Sequence, residues 1–427
     1  MNIPELKSIF TNSPQVKSIV ESLQNNLLSK IYLKGLVGSS VAFVAHSVFH
    51  KFPISQLFVL NDKEEAAYLL NDLESIVGEE HVLFFPASYK RAYQVDETDN
   101  ANILLRSEVL NALANPIQPK IIVTYSEAIA EKVVTKKNLE KNTLKIGVGE
   151  EYTIEFINEV FYEYGFERED FVIEPGQFSV RGGIVDVFSF SNDYPYRIEF
   201  FGDEIESIRT FDPVSQLSVK NFDKITIIPN LQTSVVGEFR DSLLEFLPNT
   251  TLIWAANVEL TANQLDQYFE KTVEAYKKVE NSPLNHQKPE QLFLTKEEFL
   301  NQLNTRNNLE FGIQNYFVDA LQILFNQKPQ PEFNKNFTLL HDNLNDNKKA
   351  GYNNILLADS IKQVERLHAI FEDIGKELEV HSMLLPIHQG FVDVDLKICC
   401  YTDHQIFNRY QRFKLKNSLQ KKENRLP

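Results

Sequence analysis

The sequence predicts an α/β protein in which an open, doubly wound parallel sheet is interrupted by an α+β segment and followed by a smaller α/β domain. Over the first ~125 residues, short β-branched or aromatic runs alternate with helix-length amphipathic segments, as in βαβ units. From about residue 151 to 230, closely spaced strand patterns replace this alternation, which then resumes. The chain has 427 residues, 43% of them hydrophobic, enough for about two to four domains with their own cores.

The first part of the chain shows clear periodicity. Ala66, Leu69, Leu70 and Leu73 recur three and four positions apart, which predicts a helix over 63–77. The strand patterns that alternate with such segments cover residues 31–33, 57–60, 82–85 and 121–123. Strands connected through helices in this way predict a parallel sheet.

The middle segment, 151–230, has a different texture. An amphipathic helix is predicted over 153–164. Closely spaced strands follow it, at 178–180, 184–188, 196–201 and 205–211. This order favours local α+β structure with an antiparallel sheet. The segment holds 16 Asp and Glu against 6 Lys and Arg, so it contributes −10 to a formal net charge of −16. We therefore expect a distinct acidic module.

After residue 230 a strand is predicted over 252–254, followed by a polar helical region to about 330. Two prolines within three residues, Pro329 and Pro331, indicate a linker. A further α/β block is predicted, with a helix over 361–374 and strands over 354–357, 378–381 and 396–401. The adjacent Cys399 and Cys400 fit the core of the last strand better than a disulfide or a zinc site.

Charge and composition exclude several classes of function. A net charge of −16 disfavours a general affinity for nucleic acids. No apolar run approaches the ~18 residues that a membrane span needs, and the amino end lacks a secretory signal, so we expect a cytoplasmic protein without a membrane partner. The nine histidines form no closely spaced ligand set, so no metal site is expected.

The segment KGLVGSSVAFVA follows the first predicted strand, where a phosphate-binding loop would lie. A functional GxxxxGK[ST] loop ends in a glycine, a lysine for the phosphates and a hydroxyl for magnesium. Aligned from Gly35, those three positions hold Ser40, Val41 and Ala42. Gly38 fits the tight turn, so the sequence predicts a degenerate loop with a preserved backbone trace.

A second motif of nucleotide-hydrolysing enzymes, the acidic end of a late strand, is also missing. The predicted strand at 252–254 continues into Ala255, Ala256 and Asn257, where an ATPase would place the carboxylates for magnesium and water activation. Together the two losses predict that this chain has no catalytic residues, ATP or magnesium of its own. An active nucleotide-dependent helicase subunit is the competing interpretation, and it would require ATP binding.

The most specific string in the chain is PGQFSVRGGIVDVFSFSNDYPYRIEFFGDEIESIRTFDP. It closely resembles the inserted domain shared by the excision-repair subunit UvrB and the bacterial transcription-repair coupling factor family (Mfd). The parts RGGIVDVF and PYRIEFFGDEIESIRTFD favour the coupling factors. The resemblance extends along the whole chain, through the lead-in YGFERED and the late GFVDVDLKICCYTDHQIFNRYQR.

This resemblance implies the amino-terminal portion of a longer protein, whose RNA polymerase-binding domain and ATP- and magnesium-dependent DNA translocase motor lie beyond Pro427. It also implies the domain organisation. A degenerate P-loop helicase-like domain covers 1–150 and 231–330 and is interrupted by an inserted α+β UvrA-binding domain at 151–230. A linker at 331–345, a small α/β domain at 346–410 and a basic tail at 411–427 follow.

Strand alternation predicts a binding site in the inserted module. Over 196–201 it places Ile198 and Phe200 on one face and Arg197 and Phe201 on the other. An exposed aromatic beside an arginine is a common anchor of protein interfaces, and Arg181 adds a second guanidinium. Alternatively, Phe201 packs under the following turn and the arginines only pair with local acids. The resemblance implies that Arg181, Arg197 and Phe201 bind UvrA.

The resemblance also suggests other partners. UvrB-like proteins carry an aromatic-rich hairpin that clamps DNA; the matching stretch here is short, so we expect Tyr89, Lys90, Arg91 and Tyr93 to form a surface loop rather than to stack on bases. The carboxyl-terminal domains of the same protein are expected to mask the UvrA-binding surface. RNA polymerase and DNA would be contacted through the domains beyond this chain. A UvrB-like subunit that binds damaged DNA is the alternative function.

Overall fold

The computed structural model describes residues 1–88, 100–114, 116–190, 192, 194–229, 239–280, 286–411 and 413. Up to residue 147 the elements are α1 (Ile3–Thr11), α2 (Pro14–Asn25), β1 (Lys30–Lys34), α3 (Ser40–Lys51), β2 (Gln56–Leu60), α4 (Lys63–Val77), a 3-10 turn (Glu79–His81), β3 (Val82–Phe84), α5 (Asn100–Ala114), β4 (Ile121–Tyr125), α6 (Ser126–Ala130), β5 (Val133–Val134), α7 (Lys136–Lys141) and β6 (Leu144–Gly147).

The next elements are α8 (Ile154–Glu163), β7 (Glu167–Arg168), β8 (Gln177–Arg181), β9 (Ile184–Val187), β10 (Tyr196–Phe201), β11 (Glu204–Phe211), β12 (Ser218–Asn221), β13 (Lys224–Ile227) and β14 (Arg240–Asp241). The remainder comprises α9 (Leu243–Phe246), β15 (Leu252–Ala255), α10 (Val258–Val279), α11 (Pro289–Leu292), α12 (Lys296–Asn304), β16 (Asn308–Gly312), β17 (Leu321–Leu324), β18 (Gln327–Pro329), α13 (Phe337–Lys349), β19 (Asn353–Ala358), α14 (Ile361–Asp373), β20 (His381–Leu384), β21 (Phe391–Asp393), β22 (Ile398–Thr402) and α15 (Asp403–Ile406).

The first sheet has seven strands in the order β17-β1-β16-β15-β2-β4-β3, and every pairing in it is parallel. Strands β2, β4 and β15 are buried along their whole length, so both faces of the sheet are covered. In its centre Trp254 stacks on Phe58, with 4.9 Å between ring centroids. The predicted parallel α/β sheet is confirmed.

The second sheet, the inserted sheet, has the order β12-β11-β10-β9-β8-β7 and is antiparallel except where β7 pairs with β8. One face packs on α8, whose Ile157 and Phe161 share a core with Phe178 and Ile198. Strands β6 and β13 pair where the chain enters and leaves this module, a connection that the sequence patterns did not predict. The predicted α+β module is confirmed.

The third sheet has the order β18-β21-β22-β19-β20 and mixes parallel and antiparallel pairs. One face packs on helices α13 and α14, and the other joins the core of the first sheet. Cys399 and Cys400 are buried in β22, as predicted for core residues of a strand. Burial raises the pKa of the Cys399 thiol to about 12.

Three local predictions differ from the structure. The polar region up to residue 330, expected to be helical, contains strands β16 and β17, which pair with β1 on its two sides. The strand expected at 378–381 begins only at His381, because pairing with β19 starts there, opposite Ile355. The expected linker 331–345 includes the start of α13, capped by Asn336. The domain boundaries themselves stay a prediction.

Within the described residues, no helix combines the length and apolar character needed to cross a membrane.

Candidate functional site

One face of the inserted sheet, turned away from α8, carries a polar network. Arg197 on β10 lies opposite Asp186 on β9 and opposite Arg209 on β11. Directly opposed residues of paired strands project to the same face. The register therefore gathers charged groups from three strands.

Asp186 is the centre of this network. Its side chain is 1% exposed and accepts hydrogen bonds from Arg197 through both oxygens, with Nε–Oδ1 and Nη2–Oδ2 distances of 2.8 Å. Arg181 pairs with the same carboxylate. The Arg197 guanidinium lies 4.2 Å from the centroid of the Phe211 ring and donates to Gln216 Oε1 at 2.9 Å. Both arginines thus pair with a local acid, which was the alternative left open above, and Arg197 is held in one orientation.

Phe201 lies at the edge of this network and is 79% exposed. Its neighbours Ile198 and Phe200 are buried, as the alternation predicts, and Phe201 does not pack under the following turn. The Phe200 amide donates to the Gly183 carbonyl at 2.8 Å, so Phe201 lies beside the hairpin that presents Arg181. An exposed aromatic ring thus ends the strand that also carries the oriented Arg197.

Two further exposed apolar residues border the arginines, and sequence reasoning missed both. Phe171 lies with its ring centroid 5.3 Å from the Arg181 guanidinium, and Leu217 follows the glutamine that binds Arg197. Both lie outside the strands, where no periodicity signals which side chains are exposed. We call Phe171, Arg181, Arg197, Phe201 and Leu217 the arginine face.

A second ion pair lies on the same side of the sheet. Arg209 Nη2 lies 2.6 Å from Glu199 Oε1, and Ser207 donates to Oε2 at the same distance. The hydrogen bonds from Arg209 and Ser207 lower the pKa of Glu199 to about 2. The network thus holds three arginines against two carboxylates, a local positive surplus within an acidic module.

The degenerate loop lies between β1 and α3, at the carboxyl edge of the first sheet. Gly35 and Gly38 have φ angles of +89° and +55°, so the loop has the left-handed residues that a tight turn requires. Ser40, Val41 and Ala42 begin α3 and are buried. The positions of the lysine and the hydroxyl are therefore occupied by side chains of the core.

The polar groups near the end of β15 cap a helix. Asn257 accepts a hydrogen bond from the Leu260 amide at 2.9 Å and caps α10. The buried Glu310 accepts from the amides of Val258, at 3.0 Å, and Tyr316, at 2.8 Å, and burial raises its pKa. These side chains thus have a structural role at the sheet edge. The candidate base-stacking residues Tyr89, Lys90, Arg91 and Tyr93, and the tail from residue 414, lie outside the described residues.

The architecture defines a class of protein: a helicase-like parallel α/β domain that carries a UvrB interaction domain as an insertion. The model of the UvrB interaction domain matches residues 144–232, a range that begins with strand β6 and extends past β13. The arginine face therefore lies within a recognised interaction domain.

Similar proteins include transcription-repair-coupling factors and UvrABC system protein B. A transcription-repair-coupling factor of Bacillus subtilis is 26% identical over 240 residues, 56% of this chain and 20% of the relative. That of Borreliella burgdorferi is 24% identical over 457 residues, 96% of this chain and 39% of the relative. The UvrABC system protein B of Thermosipho africanus is 28% identical over 226 residues, 50% of this chain and 34% of the relative.

The predicted resemblance is confirmed: the chain is homologous to the amino-terminal region of transcription-repair coupling factors, including their similarity to UvrB. It spans between about a fifth and two-fifths of the length of the coupling factors described above.

Proposed function

We propose that this chain is a non-catalytic adaptor that binds UvrA through the arginine face and brings it to RNA polymerase stalled at DNA damage. The observation that supports this role most directly is the exposed Phe201 on the strand that carries the oriented Arg197, within residues that match the UvrB interaction domain. The loss of the P-loop lysine and hydroxyl, at Val41 and Ala42, supports a role without nucleotide chemistry.

The arginine face is suited to protein binding because its polar part is ordered before a partner arrives. Asp186 holds both guanidinium groups, so little side-chain freedom remains to be lost on binding. Arginines and aromatic residues dominate the energetics of protein interfaces. Phe201 and Leu217 are both exposed and supply apolar area towards the two ends of β10.

The other parts of the proposal concern the full-length protein. There, an ATP-driven DNA translocase motor would displace the stalled polymerase, and carboxyl-terminal domains would mask the arginine face until the motor engages. All of this would take place in the cytoplasm. The isolated chain should therefore bind UvrA more tightly than the full-length protein does.

Phe201→Ala is the sharpest test. The side chain is exposed, so its removal should leave folding intact while UvrA binding weakens at least about 10-fold, as for an interface anchor. The dissociation constant would be measured by calorimetry with purified UvrA. Phe156→Ala is the matched control, because Phe156 is an exposed aromatic on α8, which packs on the opposite face of the inserted sheet.

Arg181→Ala provides a second variant. Charge reversal at Arg197 is less informative, because it would place a second carboxylate against the buried Asp186 and destabilise the module. Arg181 is 39% exposed and shares Asp186 with Arg197, so its removal leaves the buried acid paired. Undiminished UvrA affinity in both Phe201→Ala and Arg181→Ala would contradict the site.

The similarity to UvrABC system protein B supports one alternative, a subunit that binds damaged DNA. That function would show as a strong mobility shift of damaged duplex that survives physiological salt. Under the adaptor proposal, any binding is weak and falls steeply between about 50 and 200 mM salt.

A further inference from the structure

We infer that the third sheet is an intramolecular ligand of the degenerate loop, with polar groups of Gln327 and Gln389 in place of the phosphates of a nucleotide. This arrangement would keep the first and third sheets together as one body and occupy loop amides that phosphates would otherwise bind. The inference concerns a different surface from the arginine face and does not depend on UvrA binding.

Four hydrogen bonds join the loop to the third sheet and its connections. The Val37 amide donates to Gln327 Oε1 at 3.1 Å, and the Ser40 hydroxyl donates to the same oxygen at 2.6 Å. The Ser39 amide donates to the Gln389 carbonyl at 3.2 Å, and the Gln389 amide donates to Ser39 Oγ at 2.8 Å. Amides at this position in a P-loop bind phosphate oxygens; here two of them bind oxygens of the protein itself.

The third sheet and its connections also approach the backbone of the loop closely. A Cβ atom on Gly38 would lie 3.0 Å from Gln389 Cβ and 3.2 Å from the carbonyl oxygens of Gln389 and Gly390. A Cβ atom on Gly35 would overlap the Phe325 carbonyl. The glycines that would give a nucleotide close access to the backbone instead admit the backbone of residues 325 and 389–390.

A carboxylate orients the Gln327 amide toward the loop. Gln327 Nε2 donates to Asp393 Oδ2 at 2.8 Å, and Asp393 Oδ1 accepts from the amides of Asp395, at 3.1 Å, and Leu396, at 2.9 Å. Because an ionised carboxylate only accepts hydrogen bonds, the amide nitrogen of Gln327 must face Asp393 and its oxygen must face the loop. Asp393 is thus a positioning residue for this contact.

Apolar contacts extend the same interface. The Phe391 ring lies 5.9 Å from the rings of both Phe10 and Phe43, between centroids. On the other side of the loop, His388 stacks on Tyr68 with a centroid distance of 3.4 Å. Separating the sheets would expose these rings to water, so the third sheet should stay docked.

Hydrogen exchange of the peptide covering residues 35–42 tests the inference, because two of its amides donate to the third sheet. Gln327→Glu would set a second carboxylate against Asp393, so exchange should accelerate at least about 10-fold. The double variant Gln327→Glu/Asp393→Asn should restore protection, since an asparagine at 393 can donate to the new carboxylate, which still accepts from the loop. Gln322→Ala, a change at an exposed glutamine on β17, is the control.

Each result has a distinct meaning. Fast exchange in Gln327→Glu, with recovery in the double variant, supports the inference, because a merely destabilised fold would not be repaired by exchanging the two groups. Wild-type exchange in Gln327→Glu would overturn it. Equally fast exchange in the single and double variants would also overturn it.

Discussion

At the scale of single residues, Asp186 determines how the arginine face is built. Its neighbours in the sequence are valines, so nothing local marks it as the shared partner of Arg181 and Arg197. A carboxylate that is 1% exposed has lost its contact with water, and two guanidinium groups compensate by pairing with it. The arginines therefore have a structural role as well as the proposed binding role.

Glu199 provides a test at this scale through pH. Its pKa in the folded protein is lowered to about 2, so the stability it contributes is present above its ordinary pKa of 4.5 and is lost as the pH falls toward 2. Glu199→Gln should reduce the free energy of unfolding by about 1 kcal/mol near pH 6, and the difference from wild type should shrink toward pH 3. Urea unfolding at pH 6, 4 and 3 measures it. An equal difference at all three values would contradict the assignment.

At the scale of elements, the loop between β1 and α3 has the turn that a phosphate-binding loop requires but lacks its chemistry. The turn has positive φ angles and a helix follows it, while the positions of the lysine and hydroxyl hold buried apolar side chains. At the carboxyl edge of the sheet, Glu310 and Asn257 bind the first amides of α10. Elements that would surround a nucleotide thus serve to connect parts of the fold.

A pair of glycine substitutions tests how tightly the loop is enclosed. Gly35 and Gly149 have similar φ angles, +89° and +81°, but only at Gly35 would a Cβ atom meet other atoms of the fold. Both Gly→Ala changes strain the backbone by about 1 kcal/mol, and Gly35→Ala should cost about 1–3 kcal/mol more through overlap with Phe325. Thermal unfolding of the two variants gives the comparison. Equal destabilisation would indicate that the loop is open.

At the scale of the whole molecule, the distribution of charge matters more than its sum. The module 151–230 contributes −10 to the net −16, yet the polar network on its sheet holds three arginines against the two carboxylates of Asp186 and Glu199. A negative total therefore disfavours a general affinity for nucleic acid without excluding a repair function that depends on another protein.

The absence of nucleotide chemistry is testable on the whole chain. A ligand that binds the folded state raises the free energy of unfolding by about 2.7 kcal/mol at 100 times its dissociation constant. We expect the thermal unfolding midpoint to be the same in magnesium-ATP as in magnesium chloride at equal ionic strength. A midpoint that rises with ATP concentration would refute the non-catalytic proposal and favour the helicase-subunit alternative.

Local sequence patterns predicted much of the fold and part of the site. Alternation placed Phe201 outside and Ile198 inside, and helical spacing predicted α4 at the bounds observed, Lys63–Val77. The motif around Arg181 and Arg197 was enough to predict homology to the coupling factors. These features are local, because periodicity and motif spacing depend on residues near each other in the chain.

The segment that covers each face could not be predicted from local patterns, because it comes from a distant part of the chain. Gln327 meets Val37 across 290 positions of sequence, and His388 meets Asp72 across 316. Strand order likewise brought β16 and β17 to the two sides of β1, within a region that was expected to be helical. Local periodicity tells which side of an element is buried; the partner that buries it is chosen by the packing of distant segments, where shape and hydrogen bonding of the assembled core decide.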